Sequence, residues 1–494
     1  MSLISVNNLT FGYDGSLKNI FENVSFNIDT DWKLGLIGRN GKGKTTFLKL
    51  LLGKYEYQGA ISKNVEFDYF PFEVKNKERM AIEIVNEIAP NVEDWEIIRE
   101  LNLLNTDTEV LYRSFNLLSG GEQIKILLIS LFLKGNNFLL IDEPTNHLDI
   151  KTRNNLVNYL EKKKGFILVS HDRNFLDKVV NHIISINNTN IEIQQGNFSS
   201  WKENKNRQDN FEKIQNERLQ KDINRLEIAS KNCAKWSNEA EKTKNKKYNS
   251  ETTIDKGYIG HKADKMMKKS KVMEQRIEKA INEKTNLLKN IEGNDTLKII
   301  PLKSNKNPLI FAHNLQIKYS KETIFNPITF EVNNGDRVAL IGKNGIGKSS
   351  ILKLILGEEL QYNGEFMVAN DLKISYVSQS TEDLKGNLRT FAYDNKINES
   401  IFKAMLVKMG LSQFDFDTNI QDMSEGQKKK VLIAKSISEQ ANIYIWDEPL
   451  NYIDILTREQ IEDAILNYNP TIIFVEHDEK FIEKVATKII NLVK

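Results

Sequence analysis

The apolar residues of this chain fall into short runs separated by polar and glycine-rich stretches, and the runs recur twice in the same order. Lys33–Ile37 reads as a short buried strand that leads into a glycine-rich string, and Thr45–Leu52 beyond it reads as a helix. The runs FLLI (138–141) and IYIW (443–446) each end in an Asp-Glu pair, and GFILV (165–169) and TIIFV (471–475) each stop just before a His-Asp pair. LSGGE (118–122) and MSEGQ (423–427) each open a strongly apolar helical stretch. Short apolar strands with polar groups at their ends, alternating with helices, predict an α/β fold with parallel sheets and ligands at the carboxyl edges.

Between the two copies the period changes. From Trp201 to Glu292 the residues Phe211, Ile214, Leu219, Ile223 and Leu226, and on the return Met273, Ile277, Ile281, Leu288 and Ile291, keep roughly helical spacing. The expectation is an antiparallel helical hairpin, each arm on the order of 50 Å long at about 1.5 Å per residue. Its tip lies near Thr252–Gly260 (TTIDKGYIG), flanked by KTKNKK and KKSK. The boundaries read as a first domain over 1–200, a linker over 201–307 and a second domain over 308–494.

The spacings within the two copies argue duplication. Lys44 to Asp142 is 98 residues and Lys348 to Asp447 is 99, while Ser119 to Asp142 and Ser424 to Asp447 are both 23. A histidine follows each aspartate, by 29 residues at His171 and by 30 at His477. The loops GRNGKGKT and GKNGIGKS stand between strand and helix, where backbone amides and a helix N-terminus point at phosphates. Gly38, Asn40, Gly41, Gly43, Lys44, Thr45 and Thr46 form one cradle, and Gly342, Asn344, Gly345, Gly347, Lys348, Ser349 and Ser350 the other. ATP is the expected ligand: the lysines reach the β and γ phosphates, and the Thr45 and Ser349 hydroxyls ligate Mg2+. Asp142 and Asp447 are expected on that metal, with Glu143 and Glu448 orienting or deprotonating the attacking water. A helix cap is the plainer reading of a single strand-end carboxylate, and the matched spacings weigh against it.

Composition adds less. Lys and Arg number 69 against 67 Asp and Glu, but 26 basic and 16 acidic side chains fall between Trp201 and Lys306. A basic middle segment fits a polyanionic partner, RNA above all, with a solvated charged helix as the plainer alternative. The single cysteine, Cys233, has no cysteine partner, which fits a reducing cytosol. The start MSLISVNNLTFGYDG lacks a charged head and apolar core, and the longest apolar run, Ile126–Leu133, is too short to cross a bilayer. A cytoplasmic protein without signal or membrane span is expected, and the richness in Asn, Lys and Ile fits a low-GC bacterial coding bias.

Taken with the loops and carboxylates, the serines and glycines of the two signatures, Ser119 and Gly121, Ser424 and Gly426, resemble those of the ABC ATPase superfamily. That resemblance implies that each domain's signature completes the other's ATP site, pairing Lys44 with SEGQ and Lys348 with SGGE. It implies switch roles for His171 and His477, adenine stacking by Tyr13 and Tyr319, and metal and water sensing by Gln379. The first copy departs, with Phe72 in YFPF where an amide is expected.

Two fused domains with a charged helical linker are similar to the ABC-F group, and the absence of an inserted arm between Phe72 and Ser119, with 17 residues after His477 read as no tail, is most similar to Lsa-type resistance members. The implied partners are the bacterial ribosome, its rRNA near the E site and peptidyl transferase centre, and P-site tRNA. The protein would be a monomer whose own two domains pair. The implied tip contacts are Ile254, Lys256 and Tyr258, and the implied activity is dislodging lincosamide, streptogramin A and pleuromutilin drugs. A housekeeping translation factor of the same architecture is the alternative, and the ATPase subunit of a drug exporter is a third class disfavoured by the long basic hairpin.

Overall fold

The computed structural model describes residues 2–14, 19–135, 137–145, 148–187, 189–244, 265, 268–269, 271–273, 275–281, 296–319 and 322–493. It divides into two compact units, Met1–Trp201 with Asn294–Lys494, and Lys202–Gly293.

The larger unit holds two α/β domains of the same plan. In the first, the central sheet runs Glu66–Phe70, Asn137–Asp142, Phe166–Val169, Lys33–Ile37, His182–Asn187 and Asn190–Gln195, parallel except for the last hairpin. In the second it runs Ile374–Val377, Ile443–Asp447, Ile472–Val475, Arg337–Ile341 and Lys488–Asn491, all parallel. Each domain adds an antiparallel sheet, built on Leu3–Phe11 and on Ile310–Tyr319.

The unbroken apolar runs are explained by burial on both faces. Phe166 and Leu168 enter the core beneath the helices, whereas Ile167 and Val169 enter the core against the antiparallel sheet. Ile472, Ile473, Phe474 and Val475 divide in the same alternating way. A period of two is present in three dimensions but invisible in composition, because both faces demand apolar side chains.

Local chemistry fixes the helix starts. Ser119 and Ser424 cap the helices Gly120–Leu133 and Glu425–Ser438 in reciprocal capping boxes with Glu122 and Gln427. Leu297 and Ile299, inside the span read as linker, are buried in the second domain's core, and Leu302 N–H donates to the Ala441 carbonyl at 2.8 Å. That packing brings the chain into the second domain well before residue 308.

In the smaller unit the helix Phe198–Lys244 continues to its last described turn, and 275–281 are helical on the return. The expected apolar seam is only partly covered: Ile223 and Ile277 are buried, but Phe211 and Ile214 are 60% and 50% exposed. The tip residues Ile254, Lys256 and Tyr258, and the whole of Thr252–Gly260, lie outside the described residues.

Candidate functional site

Both glycine-rich loops leave the carboxyl end of the fourth strand in their parallel sheet order, and the strand beside it ends two residues before the histidine. The next strand out ends in the Asp-Glu pair, so loop, carboxylates and histidine meet at one edge. Gly43 and Gly347 hold φ of 95° and 103°, which a side chain would strain, and a Cβ at Gly43 would meet Ile20 at 2.5 Å. Space is open above Gly41 and Gly345.

Around Lys44, residues from both domains enclose a cavity of about 450 Å³. Its lining includes Tyr13, Asn40, Lys44, Thr45, Asp142, Glu143 and His171 from the first domain and Ser424, Gly426 and Tyr452 from the second. Lys44 Nζ donates to the Gly38 carbonyl at 2.8 Å and to Asn40 Oδ1 at 3.1 Å. Asn40 Nδ2 donates to the Tyr452 carbonyl at 2.6 Å, and a Cβ on Gly426 would stand 2.7 Å from that same Asn40 nitrogen. Asp454, which caps the helix Ile455–Tyr468, takes Lys430 Nζ at 2.7 Å, and the field of the first domain's Lys44 helps hold its carboxyl below the usual range. The second signature therefore sits on the first loop.

The counterpart around Lys348 is met from the first domain by other groups. Lys348 Nζ donates to the Gly342 and Lys343 carbonyls at 2.9 and 3.1 Å. Arg153 Nη1 donates to the His477 carbonyl at 2.9 Å, and the fields of His477 and Lys348 reach Asp149. First-domain groups thus reach the Lys348 site as well. Among the described residues a Cβ on Gly121 would meet Leu148 and Thr152 of its own domain, at 3.4 and 3.6 Å.

The carboxylates of the two sites differ. Glu143 and Glu448 share a left-handed backbone, φ 51° and 47°, in strand ends whose N–H groups donate to Val169 and Val475. Burial, with Asp142 next to it, pushes Glu143 up to about 8, against the weaker pull of Lys44, Arg458 and the His171 backbone N–H, and His171 Nε2 lies 3.3 Å away. His171 itself is kept neutral, chiefly by burial and then by Lys44. Glu448 feels burial too, but His477 at 3.6 Å and the amides of Gln379 (3.0 Å) and Asn451 (2.7 Å) outweigh it and lower the carboxyl to about 2.

Strand register explains the missing amide. Phe70 pairs with Ile141, and Val377 pairs with Trp446, each one residue before the aspartate, so Phe72 and Gln379 occupy equivalent places. Phe72 packs against the helical core.

The donor set fits a magnesium ion. Asp447 Oδ1 is buried without a partner while its carboxyl is hydrogen-bonded by Ser349. In the first domain Thr45 and the Tyr69 hydroxyl donate to Asp142 Oδ2 at 3.1 and 2.9 Å. Among the described residues no cluster of three acidic, histidine or cysteine side chains could hold a metal alone, so an ion here would need phosphate oxygens and water as well.

The remaining expected residues have plain positions. The Tyr13 ring is 45% exposed, packs edge-on to Phe11 and Tyr55, and its hydroxyl meets Thr46 Oγ1 at 2.8 Å. The Ser119 and Ser424 hydroxyls cap their own helices. Ser350 is buried at the start of the helix Lys348–Ile355, and Asn344 lies in the loop before it. The Tyr319 side chain lies outside the described residues; its backbone pairs with Glu322. Sequence reasoning missed Tyr69, Tyr452, Asp454 and Lys429. Tyr69 and Tyr376 stand at matching places three residues before Phe72 and Gln379, and Asp149 and Asp454 both lie seven residues after their aspartates, signals a fuller comparison of the copies would have found.

The family model described as ABC transporter matches residues 21–146 and 325–451. The chain is 30% identical to the ATP-binding protein Uup of Buchnera aphidicola, over 99% of this chain and 80% of that one. It is 28% identical to the ribosome protection protein VmlR of Bacillus subtilis, over 96% and 84%. The structure of an RNase-L inhibitor superposes with a TM-score of 0.62 at 18% identity, covering 98% and 87% of the two chains, which is a likeness of fold. Among the described residues no helix is long and apolar enough to cross a membrane.

Proposed function

We propose, from the premise that the chain belongs to the ABC transporter family and is an ATPase with two ATP-binding domains, that it is an ABC-F protein whose ATP state binds the ribosome. In this reading it dislodges antibiotics from the peptidyl transferase centre. The observation that carries the ATP-gated half is the seat of Gly426 on Asn40: nucleotide held by the first loop would be gripped by the second domain's signature. Magnesium would be held by Thr45 with Asp142 and by Ser349 with Asp447, neutralising phosphate charge while Glu143 and Glu448 hold the attacking water.

The ribosomal half draws on the likeness to a ribosome protection protein and on the long basic helical segment. Its partners would be ribosomal RNA near the E site and peptidyl transferase centre and the P-site tRNA, and its place the cytoplasm. Replacing Glu143 and Glu448 together with Gln should trap the protein on ribosomes in ATP, read by co-sedimentation. Absence from the ribosomal pellet would sink ATP-gated binding. Expression in a drug-sensitive bacterium should raise tolerance to a lincosamide or pleuromutilin, and removing 252–260 should abolish it while ATPase activity survives. Slow growth of a deletion strain without drug, with unchanged susceptibility, would favour a housekeeping translation factor instead.

A further inference from the structure

The second domain contains a buried cation that the first lacks. Lys429 lies in the second turn of the helix Glu425–Ser438 and is 2% exposed; the equivalent place in the helix Gly120–Leu133, five residues after the signature serine, is Ile124, packed on apolar neighbours. Lys429 Nζ donates to the Ser378 carbonyl at 2.9 Å and to the Glu448 carbonyl at 3.2 Å. Ser378 immediately precedes Gln379, and Glu448 holds a left-handed backbone. One ammonium thus ties together the two residues whose side chains meet at 3.0 Å in the Lys348 site. Without it, two inward-facing carbonyls would lose their common donor, one of them on a residue already strained. The same helix presents Gly426 to the Lys44 site with its first turn.

We propose that Lys429 is a positioning residue of the Lys348 site, setting the Gln379 loop and the Glu448 backbone relative to each other so that the Gln379 amide holds the Glu448 carboxylate at the attacking water. It touches no nucleotide. Its loss should therefore act on turnover and spare binding, and should act only through Gln379 and Glu448.

The test uses the full chain carrying Glu143→Gln, so that steady-state hydrolysis reports the Lys348 site. Lys429→Ile, which installs the residue of the other copy, should lower kcat by roughly tenfold to a hundredfold, the cost of a small misplacement near the chemistry, with KM for ATP within about twofold. Lys429→Arg, which keeps donors for both carbonyls, should recover most of the rate. In a Gln379→Ala background the Ile substitution should add little, because the group it positions is already gone. Multiplicative losses in that cycle, or an unchanged kcat, would overturn the proposal, and so would a loss confined to KM. Should the Ile variant fail to fold, Lys429→Gln, which keeps a donor for one carbonyl, gives the same cycle with the same reading.

Discussion

Glu143 and Glu448 should give opposite pH signatures. With a carboxyl raised to about 8, Glu143 is only about one-tenth ionised near pH 7 and about nine-tenths ionised near pH 9. Glu448, lowered to about 2, is fully ionised throughout. A carboxylate that must accept a proton from water acts only when ionised. The Glu448→Gln variant leaves the Lys44 site, and its kcat/KM for ATP should rise about tenfold from pH 7 to pH 9. The Glu143→Gln variant leaves the Lys348 site and should be nearly flat over that range. At pH 7 the second variant should keep most of the wild-type rate and the first should lose most of it. Magnesium and triphosphate bring the same charges to both sites, so the comparison between variants isolates what the protein contributes. Hydrolysis followed by released phosphate across pH 6.5–9 is sufficient. Superimposable profiles, or a rise in the Glu143→Gln variant alone, would refute the assignment of the difference to the burial of Glu143 beside Asp142 and to His477 and Gln379 at Glu448.

The same shifts should move stability with opposite sign. Because the Glu143 carboxyl is raised, its favourable contribution is complete below its unfolded value of 4.5 and is lost as pH climbs towards 8, so Glu143→Gln should raise the melting temperature more at pH 8 than at pH 5. The Glu448 carboxyl is lowered, so it stabilises above 4.5 and the benefit disappears towards pH 2; Glu448→Gln should cost about 3 kcal/mol at pH 7 at the scale of 1.36 kcal/mol per unit, read by thermal or denaturant unfolding. Gly426→Ala places a Cβ 2.7 Å from both Asn40 Nδ2 and the Tyr452 carbonyl and should depress ATPase activity strongly, read by phosphate release. Unchanged activity would mean that the second signature does not need its close seat on the first loop. Arg173 joins the first domain to the fully buried Glu462 of the second, with Nη1 donating at 3.2 Å, so Arg173→Met should cost about 3 kcal/mol, and adding Glu462→Met should recover much of it. Chemical denaturation of the single and double variants measures both.

The sequence by itself determined the duplication, the strand, loop and helix order, and the identity of the phosphate and carboxylate groups, because each depends on short-range spacing that a folded backbone preserves. GRNGKGKT needs only its neighbouring strand and helix to become a cradle. Phe72 was legible as a departure for the same reason, since the offset from its strand is local and the pairing of Phe70 with Ile141 retains it. Tertiary structure alone decided the electrostatics. Glu143 and Glu448 sit in the same IDEP and WDEP context, yet one carries its proton near neutrality and the other does not, because the groups that bury them, and His477 and Gln379 beside Glu448, arrive from distant parts of the chain. The seam of the long helix shows the same limit: Phe211 and Ile214 keep the helical period but remain exposed, since periodicity specifies a face and not whether anything covers it. Lys429 is the extreme case. In sequence it is the middle of three lysines in a charged run, and the fold turns it and Lys430 inward, Lys429 to where two carbonyls need a common donor and the matching helix carries an isoleucine.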